Sequence, residues 1–135
     1  KCSLWYKYNV IKLPIPPTWQ DKDFLIEAFL EKMLIDFVEK EKPFERFETK
    51  KSPHKQFWRE LNKTYLWFKN IKPAELKEID NLQIELFSDW DITNQKRSKG
   101  WEIKYKKLNQ LEKQYKTDFD IKLLFIVANR HHFWT

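Results

Sequence analysis

Glycine is almost missing from this chain, with Gly100 the single example in 135 residues. Glycine reaches positive φ without steric cost, so phosphate-cradling loops, nucleophile elbows and tight hairpins all lean on it. The sequence accordingly carries no GxGxxG, no GxxxxGK[ST] and no GxSxG. That argues against a dinucleotide fold, a P-loop NTPase and an α/β-hydrolase, and no cofactor motif stands in their place. Cysteine is as scarce: Cys2 alone can form no internal disulfide, which fits a reducing compartment. No apolar run approaches 18 residues and no signal-peptide core follows Lys1, so the expectation is a soluble, intracellular protein without a membrane partner. Nucleophilic catalysis has little to recommend it, because Cys2, Ser3, Ser52, Ser88 and Ser98 have no base evident beside them.

Aromatic rings are what the chain has in excess. Seven Trp, five Tyr and eleven Phe make up 17% of it, enough to fill the interior of one small domain. The competing use of such rings is a stacking platform for bases or another ligand.

Charge is unevenly placed. Residues 96–116 hold Lys96, Arg97, Lys99, Lys104, Lys106, Lys107, Lys113 and Lys116 against Glu102 and Glu112, eight basic and two acidic, which equals the whole net charge of +6. Residues 75–91 hold six carboxylates against Lys77, a local balance of −5. Either the acidic segment folds back to neutralise the basic one or both are solvated faces, or else the basic segment presents a positive field to phosphates or an acidic partner.

The apolar spacing predicts a mostly α fold, a bundle of three principal helices in a single domain. Leu4 to Leu13, closed by Pro14, Pro16 and Pro17, reads as an extended segment over 1–17. A helix over 18–40 opens at Thr18 and presents Leu25, Ile26, Phe29, Leu30, Met33, Leu34, Phe37 and Val38 on one wide face, and Pro43 stops it. Ser52-Pro53 starts a second helix over 52–70, with Phe57, Leu61, Tyr65 and Phe68 inward. Pro73 begins a short helix to about Ile79, and residues 80–97 read as an acidic surface excursion. The last helix, over 98–132, carries Trp101, Tyr105, Leu108, Leu111, Tyr115, Phe119, Leu123 and Ile126 at steps of three and four, with Thr117 and Asp120 as a point where it could divide.

Two clusters suggest chemistry. Asp36, Glu39, Glu41 and His54 combine carboxylates and an imidazole of the kind that hold a divalent metal, although Asp and Glu at such steps are ordinary on a helix surface. His131 and His132 are neighbours on a helix and point about 100° apart, so they do not chelate as an i,i+4 pair would. Arg130 beside them is a candidate phosphate contact.

Several short runs resemble a widespread family of uncharacterised small bacteriophage proteins. They are Leu34-Ile35-Asp36-Phe37-Val38-Glu39-Lys40-Glu41, His54 and Trp58 ahead of Tyr65-Leu66-Trp67-Phe68-Lys69, Lys72-Pro73, Leu111-Glu112-Lys113 with Tyr115, and Trp134-Thr135. The likeness covers roughly residues 30–135. The family has no assigned activity, so it transfers no catalytic role; it implies a phage accessory protein acting in the host bacterial cytoplasm, with counter-defence among the usual jobs.

The leading functional expectation is a non-enzymatic binding module. It engages a phosphate-bearing ligand, nucleic acid or nucleotide, through Lys96, Arg97, Lys99, Trp101, Lys104, Tyr105, Lys106, Lys107, Lys113 and Arg130, with Trp101 or Tyr105 stacking on it if exposed. One alternative is an inhibitor of a host protein that uses Trp58, Trp67 or Trp90 as anchors. Another is a metal-dependent enzyme at Asp36, Glu39, Glu41 and His54. A homodimer through the long C-terminal helix is compatible with each of these readings.

Overall fold

The computed structural model describes residues 21–46, 53–91, 96–97 and 99–133. The extended segment expected over 1–17, the Thr18 and Ser52 helix starts and the terminal Trp134-Thr135 lie outside the described residues. The protein is mostly α, built on three principal helical stretches. The elements are α1 (Lys22–Asp36) running into a π-helical turn (Phe37–Glu41), α2 (Pro43–Arg46), α3 (Lys55–Leu66), a second π-helical turn (Trp67–Ile71), α4 (Lys72–Ser88), the two-residue strands β1 (Trp90–Asp91) and β2 (Lys96–Arg97), α5 (Trp101–Ala128) and a 3₁₀ turn (Arg130–His132). No described helix is long and apolar enough to cross a membrane.

Local chemistry explains the boundaries. The Asp21 side chain caps α1 by accepting from the Asp23 amide at 3.0 Å. Pro53 and His54 form a turn, and the second long stretch begins at Lys55 rather than at Ser52. That stretch is helical without a break to Ser88, so the expected stop before Pro73 and the surface excursion over 80–97 are not what forms. Proline has no N–H for an α-helical bond and crowds the carbonyl four residues back. The π turn absorbs this: the Lys72 amide donates five residues back to the Trp67 carbonyl, and Pro73 then sits in the opening turn of α4. Beyond it, Ile79, Leu82 and Leu86 recur at steps of three and four and are buried, which carries the helix through the acidic segment. Only after Ser88 does the chain turn, into β1 paired antiparallel with β2, Trp90 opposite Arg97 and Asp91 opposite Lys96.

The chain divides into two compact units, Lys1–Tyr65 with Leu123–Thr135, and Leu66–Lys122. In the first, Met33, Leu34, Phe37, Leu61, Ile126 and Phe133 are buried, and Phe37 meets Phe133 edge to face at 5.0 Å. Ile26, expected inside, is exposed. In the second, Ile79, Leu82, Leu86, Trp101 and Leu108 form one cluster, with Trp90, Leu111 and Tyr115 packed against it. Trp67, Phe68, Tyr115 and Phe119 add a set of rings around which Lys72 closes, its ammonium 5.1 Å from the Phe119 centroid and 5.5 Å from that of Phe68.

Candidate functional site

The second unit is a helical hairpin, α4 against α5, joined by the short strands. Gly100 makes the joint: its φ of 92° is a left-handed value that L side chains rarely adopt, and its carbonyl accepts from the amides of Ile103 and Lys104 to start α5. Trp101 follows directly and is 91% removed from solvent, with its indole Nε1 donating to the Leu86 carbonyl at 3.2 Å. The indole expected to stack on a ligand therefore belongs to the core. Tyr105 is 43% exposed and stacks on Trp101 at 5.1 Å and 10°, while Trp90 meets Trp101 edge on at 5.7 Å. These rings, with Gln83, Leu86, Phe87 and Leu108, line an open groove of about 300 Å³. Gln83 is the one polar side chain on its wall, and it donates its amide to Glu112 at 2.9 Å.

The basic segment is split by what faces it. Lys104 reaches Asp89 at 2.9 Å and Glu85 at 3.6 Å, and Lys107 reaches Glu78 at 3.3 Å, so the acidic residues of α4 and its end neutralise that side of α5. The hydrogen bond to Asp89, with the charges of Asp89 and Glu85, holds the Lys104 ammonium above its ordinary value against the opposing effect of desolvation. Lys106, Lys113 and Lys116 lie on the exposed face, and Lys99 is exposed in the turn before α5; none of the four takes part in an ion pair among the described residues. Lys96 and Arg97 are placed by their backbone in β2. Arg130 belongs to the other unit, where its Nη1 donates to the Val127 carbonyl at 2.9 Å. The ten expected ligand contacts are thus not one surface.

The metal cluster does not assemble. Asp36 accepts from Lys32 and from Lys40, the latter at 3.0 Å, so lysines occupy both its oxygens. Desolvation pushes the Asp36 carboxyl up, but the two lysine hydrogen bonds and charges outweigh it and leave it below its usual value. Glu39 accepts from the Tyr65 hydroxyl at 3.0 Å. Among the described residues no three His, Cys, Asp or Glu side chains are placed to hold a metal ion, Glu41 and His54 included. The same geometry removes the structural basis for a metal-dependent enzyme at these positions. Ser88 is also committed, its Oγ donating to the Glu85 carbonyl at 2.9 Å.

No family model, curated protein or solved structure matches this chain. The functional reading therefore rests on the residues themselves. Sequence reasoning missed the acidic clamps Glu78, Glu85 and Asp89 and the groove residues Gln83 and Phe87, because it treated 80–97 as an excursion. The three-and-four spacing of Ile79, Leu82 and Leu86 was the signal that places them on a helix facing α5.

Proposed function

We propose that the protein is a non-enzymatic binding module whose exposed α5 face lies along the phosphate backbone of a nucleic acid. The observation that carries this reading is that Lys106, Lys113 and Lys116, with Lys99 ahead of them, keep their charge unpaired while Lys104 and Lys107 are neutralised by α4 and its end. Lys106 and Lys113 are seven residues apart, about 10 Å along the helix axis. That spacing favours a polymer with successive phosphates over a single nucleotide, and the internal hydrogen bond of Trp101 takes away the ring that would have stacked on a base. Contacts of this kind are independent of sequence and position the strand without reading it.

The likeness to small phage proteins supports an accessory role in the host bacterial cytoplasm, with counter-defence as the setting. Fluorescence anisotropy of a labelled oligonucleotide tests the reading: replacing Lys106, Lys113 and Lys116 together by Gln abolishes binding, and replacing Lys104 and Lys107 by Gln leaves it near the wild-type level. Equal losses in both variants would point away from the exposed face.

The groove favours a second reading, an inhibitor of a host protein. Its wall is apolar, its one polar side chain is engaged, and Phe87 at its edge is 76% exposed, so its occupant is an aliphatic or aromatic side chain of a protein partner rather than a base or a phosphate. Of the three indoles expected as anchors, Trp90 lines this groove and Trp67 is buried. Phe87→Ala weakens capture of such a partner and leaves oligonucleotide binding unchanged, which separates the two readings.

A further inference from the structure

The second unit contains one carboxyl group for which the fold supplies no partner. Glu75 sits on α4 with its Oε2 buried and without a hydrogen bond, and Glu75 takes part in no ion pair among the described residues. The charged groups around it are mainly acidic. Asp118 faces it from α5, and Glu78 follows it by one turn on α4. Nearby cations are engaged elsewhere or displaced along their helices: Lys72 lies over the Phe68 and Phe119 rings, Lys107 pairs with Glu78, and Lys122 is four residues beyond Asp118. Asp118 accepts from the Gln114 amide through both oxygens at 3.1 Å. It retains lone pairs there, because each carboxylate oxygen has two.

A buried carboxylate without a donor is costly, whereas a protonated carboxyl brings its own donor. Two carboxyl groups in one site cannot both ionise freely, so they settle by sharing a proton. We propose that Glu75 and Asp118 are a proton-sharing pair that fastens α4 to α5, and that the hairpin loosens when both groups are ionised. In the fastened state the Glu75 O–H donates to an Asp118 oxygen; on loosening the proton leaves to solvent, and no other group changes its covalent state. Desolvation first, then the charges of Asp118 and Glu78, push the Glu75 carboxyl above its ordinary value. A folded-state value raised in this way means that the native protein holds a proton the unfolded chain releases. The associated stability is complete below the ordinary glutamate value and disappears as pH rises through the raised one.

The test is a side-chain carboxyl NMR titration of the full chain, together with thermal midpoints from about pH 4 to about pH 7 for wild type, Glu75→Gln and Asp118→Asn. The expected result is a Glu75 midpoint above that of an exposed glutamate, which drops back in Asp118→Asn. The wild-type thermal midpoint also falls, relative to Glu75→Gln, as pH rises across the range. A Glu75 midpoint at the ordinary value, or parallel wild-type and Glu75→Gln curves, overturns the proposal. If Glu75→Gln does not fold, the titration of the wild-type protein decides alone.

Discussion

The indole of Trp101 on α5 donates to the carbonyl of Leu86 on α4, 3.2 Å away and shielded from solvent. This bond fixes the function of the most suggestive aromatic in the basic segment, because a ring held on its partner helix cannot also receive a base. Trp101→Phe keeps most of the burial and loses the bond, for an expected cost of about 0.5–1.5 kcal/mol. Trp101→Ala opens a cavity and costs about 3–5 kcal/mol. Urea unfolding of the two variants measures both. Oligonucleotide affinity of folded Trp101→Phe stays at the wild-type level.

Gly100 sets the joint between the strands and α5 through its backbone alone. A Cβ built at this position meets no heavy atom within 4 Å, so any penalty comes from the φ of 92° and not from crowding. Gly100→Ala is expected to destabilise by about 1–2 kcal/mol, and Gly100→Asn by less, because Asn tolerates left-handed φ better. Equal stability of wild type and Gly100→Ala in urea would mean that the joint adopts another conformation.

Two groups in the first unit give a pH dependence opposite in sign to that of Glu75. Burial lowers the tendency of His132 to charge, and the neighbouring His131 and His54 lower it further. Its ring lies 4.4 Å from that of Phe57 and 4.0 Å from that of His131. With its folded value below 6.5, the stability contributed by neutral His132 is complete above that pH and is lost as pH falls through the depressed value. Asp36 behaves alike in a lower window: its stabilisation is complete above the ordinary aspartate value of 3.8 and is lost as pH falls through its lowered one. Thermal midpoints therefore fall less in His132→Gln than in wild type between about pH 7 and about pH 5, while the Asp36→Asn deficit persists there and shrinks only in stronger acid.

The helical class was legible because the apolar steps are long and regular, above all Trp101, Leu108, Phe119 and Ile126 on α5, all of them buried. Pro73 misled, since a proline inside a helix ordinarily ends it and the π turn that accommodates it here leaves no simple sequence mark. The acidic residues between Glu75 and Asp91 misled for a related reason: their number hid the three apolar positions that decide the segment's conformation. The site was legible in composition and not in arrangement. Eight basic residues are visible in the sequence, but which of them meet Glu78, Glu85 and Asp89 depends on the pairing of two helices. The carboxylates of Asp36 and Glu39 looked free for a metal only while Lys32, Lys40 and Tyr65 had no positions.

The central claim is that unpaired lysines on one face of α5 contact a phosphate backbone, and the salt dependence of binding addresses it most directly. Each lysine that neutralises a duplex phosphate releases a counterion, so three such contacts give a slope of about −3 for the logarithm of the association constant against the logarithm of salt concentration. The account predicts that slope for wild type and for Lys104→Gln/Lys107→Gln, and a slope near zero for Lys106→Gln/Lys113→Gln/Lys116→Gln. Affinity that holds constant from about 50 mM to about 200 mM salt, or a triple variant with the wild-type slope, would contradict it.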